Sequence, residues 1–141
     1  MAVTSEATTV WNGDLKSGSG TVSLDSSKAA QFPVTWAARS QGGTDITTPE
    51  ELLGAAHSAC FSMAFSNILT SFGNAPESIR VTAAVGFDPA QGVTGSHLTV
   101  EATVPGLSGE DFQRLADEAK ATCPVSRALV GIPITLDARL V

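Results

Sequence analysis

Charge is scarce in this chain. Of its 141 residues 43% are hydrophobic and 16% charged, where a soluble domain typically carries about 25% charged residues. A surface short of charge points to area hidden by a partner. Basic residues are scarcest: 8 against 14 acidic, a net charge of −6. That excludes a nucleic-acid binder, which needs a basic footprint to displace counterions from phosphates. It also argues against electrostatic attachment to an anionic membrane. Cysteine is limited to two residues, too few for a disulfide scaffold. Residues 1–10 are polar and lack the apolar core of a secretory signal, so a cytoplasmic location is expected, where Cys60 and Cys123 start as free thiols. The length suits a single domain spanning 1–141, and the apolar fraction is enough to order it. No repeat or low-complexity run interrupts it.

Three early segments, residues 8–12, 21–24 and 32–38, read as strands. The third alternates Phe32, Val34, Trp36 and Ala38 against Pro33, Thr35 and Ala37. Gly42 and Gly43 mark a loop after it. A helix then runs from Thr48 to about Phe72. Thr48, Pro49 and Glu51 form a capping-box start, and Gly73 and Pro76 stop it. From Leu52 to Pro76 there is no Asp, Glu, Lys or Arg, and a helix apolar all round is expected to be buried all round. A membrane span is the rival reading by length, opposed by His57, Asn67, Thr70 and four serines. Gly54, Ser58, Ser62, Ser66 and Thr70 make a small-residue stripe on it, and Phe61, Phe65 and Leu69 a bulky one.

Two alternating strands follow: Ile79, Val81, Ala83, Val85 and Phe87 share one face, as do Leu98, Val100, Ala102 and Val104, with Gly92 and Gly95 in the loop between. An amphipathic helix over residues 108–122 is capped by Ser108 and aligns Phe112, Leu115, Ala116, Ala119 and Cys123. A short helix over 124–129 and a strand through Ile132, Ile134, Leu136, Ala138 and Leu140 close the chain. The order βββ-α-ββ-α-β predicts an α+β fold, with mainly antiparallel sheets around a long central helix.

Few residues can do chemistry. Cys60 sits mid-helix, too far past the helix start to feel the dipole, where desolvation keeps a thiol protonated and inert. It is either a small core residue or a nucleophile supplied with a cation from elsewhere. Arg39 is the last cation before Arg80. It reads either as a solvated strand-end residue or as that cation. Glu50, in the helix's first turn, either complements the dipole or clamps an arginine by a bidentate pair. Cys123 is a core cysteine, or a thiol activated by capping the helix that starts at Pro124. His57, one turn before Cys60, reads as a satisfied core histidine, a base for the thiol, or part of a His57/Cys60/Cys123 metal site. No paired-ligand motif supports the metal.

The segment Thr48-Pro49-Glu50-Glu51-Leu52-Leu53-Gly54-Ala55-Ala56-His57-Ser58-Ala59-Cys60-Phe61-Ser62-Met63-Ala64 resembles the first cysteine motif of the OsmC/Ohr family, and Ala121-Thr122-Cys123-Pro124-Val125-Ser126 resembles the second. Trp11-Asn12-Gly13-Asp14, Gly18-Ser19-Gly20-Thr21-Val22 and the place of Arg39 resemble the OsmC-type branch. The loop after Arg39, residues 40–46, is where the likeness is loosest. The resemblance implies a thiol peroxidase acting on organic hydroperoxides in oxidative or osmotic stress, without cofactor or metal. Cys60 would be the nucleophile, oxidised to a sulfenic acid, and Cys123 the resolving thiol that forms the disulfide. Arg39 would stabilise the charge and Glu50 orient Arg39. An external dithiol, notably a lipoylated protein, would recycle the disulfide. The resemblance also implies an intertwined homodimer with two sites built from both chains. A non-catalytic binding module for a hydrophobic or acyl ligand, and a structural dimer whose cysteines only pack, are the alternatives.

Overall fold

The computed structural model describes residues 1–43 and 45–141. Thr44, inside the loosely matching loop, lies outside the described residues. The chain divides into two compact units, Met1–Pro49 and Glu50–Val141.

The first unit is an antiparallel sheet, β1 (Ala7–Asn12), β2 (Ser19–Leu24) and β3 (Gln31–Val34), in sequence order. Its register pairs Trp11 with Gly20 and Gly20 with Val34. The turn between β1 and β2 is built on Asp14, whose carboxylate accepts from the backbone N–H groups of Lys16 and Ser17 and from the Ser17 hydroxyl. Those bonds hold the Asp14 carboxyl below the usual carboxylate range. Every residue of β1 is exposed.

The third strand ends earlier than its alternation suggests. Thr35 adopts an extended backbone and its hydroxyl accepts from the Ala38 N–H at 3.1 Å, capping a helix, α1 (Trp36–Gln41). A local side-chain cap satisfies an orphan donor that a strand would leave to a neighbour, so Trp36 and Ala38 leave the strand pattern. Arg39 therefore stands in the last turn of α1 rather than at a strand end, where a cation suits the helix dipole.

In the second unit α2 (Pro49–Phe72) packs onto a sheet of β4 (Ser78–Asp88), β5 (Gly92–Thr103) and β6 (Ile134–Leu140), in that order. The helix ends in a Schellman turn. Gly73, at φ +107°, donates to Thr70 O and Asn74 donates to Leu69 O. β4 and β5 are antiparallel, but β5 and β6 are parallel. The chain between them forms α3 (Gly109–Thr122) and α4 (Pro124–Ala128), a helical crossover that returns the strand in the same direction. The sheet is thus mixed, and α1 and α4 complete the element order βββ-αα-ββ-αα-β. Gly92 and Gly95 both lie in β5, opposite Asp88 and Gly86, not in the preceding loop.

The inward rows follow the alternation. Ala83, Leu98 and Leu136 lie abreast, as do Val81, Val100 and Ala138, and Ile79, Ala102 and Leu140. Phe61, Phe65 and Leu69 of α2 and Phe112, Leu115, Ala116 and Ala119 of α3 close on these rows. Phe65 stands edge-on to Phe112, with centroids 5.4 Å apart. Each fully buried Phe or Leu here contributes about 2 kcal/mol of burial free energy.

α2 is long and apolar enough to cross a bilayer by length and composition, but its buried stripe of Gly54, His57, Phe61, Phe65 and Leu69 belongs to this core. Gly54 lets the helix approach closely: a Cβ there would lie 2.8 Å from Ala83 O. The expectation that the helix is buried all round holds for this stripe only. Ala55, Ala56, Ala59 and Asn67 are exposed, and Met63 is 73% exposed.

Candidate active site

The second unit brings the two cysteines together. Cys60, half-buried at the middle of α2, packs against the core cluster that contains the fully buried Cys123. Cys123 joins two helices: its N–H donates to Ala119 O to end α3, and its carbonyl accepts from the Arg127 N–H to start α4. Pro124 follows at the first helical position, where its missing N–H costs nothing. The Cys60 sulfur meets the Val125 N–H and the Cys123 thiol.

Both cysteines are free thiols. Burial pushes the Cys60 thiol up from its ordinary pKa. The Val125 N–H pulls the other way, and the Cys123 thiol adds to the rise through its hydrogen bond and charge. Within its own unit Cys60 is therefore held as a thiol, and one backbone donor favours the thiolate. Two thiols in contact can condense to a disulfide once one of them is oxidised.

Glu50 is buried in the first turn of α2, at the start of the second unit. Arg39 is carried by α1 in the first unit.

His57 proves to be a satisfied core histidine. It is fully buried, with Nδ1 2.7 Å from Ser96 Oγ and Nε2 2.8 Å from Ser126 Oγ. Both ring nitrogens are thus taken, which leaves neither for the Cys60 thiol nor for a metal. Among the described residues no group of three or more His, Cys, Asp and Glu side chains is arranged to hold a metal ion. Burial pushes the His57 pKa down, so the ring is neutral near pH 7.

The sequence alone marked no role for Ser96, Ser126 or the Val125 N–H. Ser96 left a trace: it falls on the inward row of β5, between Val85 and Ile134, where a hydroxyl needs a partner. Ser126 stands three residues after Cys123, as His57 stands three before Cys60. The Val125 donor leaves no trace, because every residue but proline carries one.

The model of the OsmC-like protein family matches residues 42–137, a stretch holding both cysteines, His57 and Ser126. This chain belongs to that family. Among its OsmC-like relatives, Peroxiredoxin OsmC of Escherichia coli (strain K12) is 44% identical over 133 residues, 92% of each chain. The Organic hydroperoxide resistance protein of Xanthomonas axonopodis pv. citri (strain 306) is 32% identical over 96 residues, 67% of this chain and 68% of that one. Among solved structures, an organic hydroperoxide resistance protein from Elizabethkingia anophelis matches with a TM-score of 0.69 and 28% identity, over 99% of this chain and 96% of that one. An OsmC-like protein from Mycoplasma pneumoniae shares the fold with a TM-score of 0.71 at 20% identity, over 100% of this chain and 99% of that one. The α+β architecture, with its long helix against the sheet, is that of OsmC-like proteins.

Proposed function

We propose that this OsmC-like protein is a thiol-dependent peroxidase that reduces organic hydroperoxides to alcohols. The observation that carries the reading is the contact between the half-buried Cys60 thiol and the buried Cys123 thiol. The names of the relatives, peroxiredoxin and organic hydroperoxide resistance protein, support it.

In this mechanism the Cys60 thiolate attacks the hydroperoxide's O–O bond. The alcohol leaves with a proton, and Cys60 becomes a sulfenic acid. Cys123 then attacks the oxidised sulfur, the S–S bond forms and water leaves. An external dithiol, such as a lipoyl group on a protein, reduces the disulfide by two electrons and restores both thiols. Burial opposes the thiolate, so the first step needs a cation. Arg39 takes that role, lowering the cost of the thiolate and of the developing alkoxide, and Glu50 orients its guanidinium by a bidentate pair. The absence of charge from Leu52 to Pro76 suits an apolar peroxide.

The working form is a homodimer, supported by the charge-free helix face that leaves Ala56, Ala59 and Met63 exposed. The protein acts in the cytoplasm, where thiols stay reduced, in defence against oxidative or osmotic stress.

The test is a thiol count. Reduced protein given one equivalent of cumene hydroperoxide loses two free thiols, and peptide mass spectrometry finds Cys60 joined to Cys123. An unchanged thiol count overturns the peroxidase reading.

A further inference from the structure

His57, Ser96 and Ser126 form a buried polar cluster that the mechanism above does not use. A neutral imidazole carries one N–H and one acceptor nitrogen. One serine therefore accepts from the ring and the other donates to it, and the ring ties α2 to both β5 and α4.

The position of this tie matters. His57 precedes Cys60 by three residues on α2, and Ser126 follows Cys123 by three at the start of α4. Helical residues three apart are neighbours on one face. The His57–Ser126 hydrogen bond thus spans the same two segments as the Cys60–Cys123 contact, one turn away. α4 has only five residues, and its Cys123 cap makes no side-chain hydrogen bond. Such a short helix is poorly held by its own hydrogen bonds, so its placement rests on ties to its surroundings.

We propose that His57 is a positioning residue: its bond to Ser126 holds the start of α4, and with it Cys123 and the Val125 N–H, against Cys60. The proposal deepens the peroxidase reading and rests on it for its role in turnover. There the Cys123 sulfur attacks the Cys60 sulfenic sulfur, an S–S bond forms, the S–O bond breaks, and the hydroxyl leaves as water with the thiol proton. No electrons enter or leave in this step. Its rate depends on how much of the time Cys123 is in place. The competing fate of the sulfenic acid is attack on a second hydroperoxide, which gives the sulfinic acid and an alcohol.

The positioning is testable without a peroxide. The full chain is equilibrated in mixtures of reduced and oxidised dithiothreitol, and the Cys60–Cys123 disulfide is counted after alkylation. In this exchange the two thiols give two electrons and two protons to the oxidised dithiothreitol. Ser126→Ala is expected to lower the equilibrium constant for the protein disulfide about fivefold, the size of one net hydrogen bond. Ser96→Ala removes the other bond of the same ring and is expected to change it by less than about twofold. His57→Gln, whose amide reaches the Nε2 position, stays near wild type. His57→Asn reaches only the Nδ1 position and falls with Ser126→Ala. Equal losses in Ser96→Ala and Ser126→Ala would mark a general weakening of the core and overturn the proposal. Unchanged constants in Ser126→Ala and His57→Asn overturn it as well. Cumene hydroperoxide consumption by the same wild-type preparation is read separately: a wild type that forms the disulfide in the buffer but consumes no hydroperoxide overturns the peroxidase reading alone.

Discussion

The two units put similar strand sequences to different uses. In the second unit the apolar rows of β4, β5 and β6 meet helices, and residues from Phe61 to Cys123 join one buried cluster. In the first unit the strands pair in good register, yet among its described residues only Gly20 and Ala38 are buried. A sheet with no core of its own gains little from hydrophobic burial. The proposed chemistry divides in the same way. The second unit supplies the two thiols, and the first supplies Arg39, the cation proposed to activate one of them. On that proposal, assembly of the thiol pair and activation of the thiol are separable.

Four experiments sharpen or break that division, from the largest expected effect to the smallest. Phe65→Ala, in the core of the second unit, is expected to lower unfolding stability by about 4 kcal/mol in a urea titration. A loss under about 1 kcal/mol would show that this cluster does not carry the fold. Arg39→Ala, in the first unit, should leave the Cys60–Cys123 disulfide able to form while raising the Cys60 pKa. The second-order rate with cumene hydroperoxide should drop tenfold or more, on the order of 1.4 kcal/mol. An unchanged rate removes Arg39 from the mechanism.

Acid provides the third. The His57 pKa is lowered in the folded state, so below its ordinary value of about 6.5 the unfolded chain binds a proton that the folded chain resists. The stability this neutral ring contributes is complete above that pH and is lost as pH falls toward the folded-state pKa. Wild type should lose stability as pH falls below about 6.5, and His57→Gln should flatten that slope. An identical slope in both would mean that His57 titrates as if exposed. The smallest effect is expected at Val10→Ala in β1, 60% exposed in this chain. In dilute monomer it should change stability by less than about 0.5 kcal/mol. A loss that grows with protein concentration would point to a second copy covering this strand.

Much of the fold was legible in the sequence. The period-two alternation of Ile79–Val81–Ala83 and Leu98–Val100–Ala102 predicted the inward rows. Gly73 predicted the end of α2, and Ser108 caps α3 as expected. These signals are read within a few residues, because caps, turns and side-chain alternation are local properties of the backbone. Where two local signals competed, at Thr35, the side-chain cap overrode the alternation and turned a strand into α1.

The site was legible only in part. Motif resemblance singled out Cys60, Cys123, Arg39 and Glu50, but nothing in the spacing could say that two thiols 63 residues apart would touch. Nor could it say which reading of His57 was right. Its environment is made by Ser96 and Ser126, 39 and 69 residues away.

By itself, then, the sequence determined the family, the elements other than α1 and the inward rows of the second sheet, since propensity, periodicity and motif are written in neighbouring residues. Only the tertiary structure decided that β6 runs parallel to β5, that Cys60 meets Cys123, and that His57 is a neutral tie between two serines. Each of these depends on how the α3–α4 crossover packs back onto the sheet. That packing is settled by the burial of the whole core at once, and no single segment encodes it.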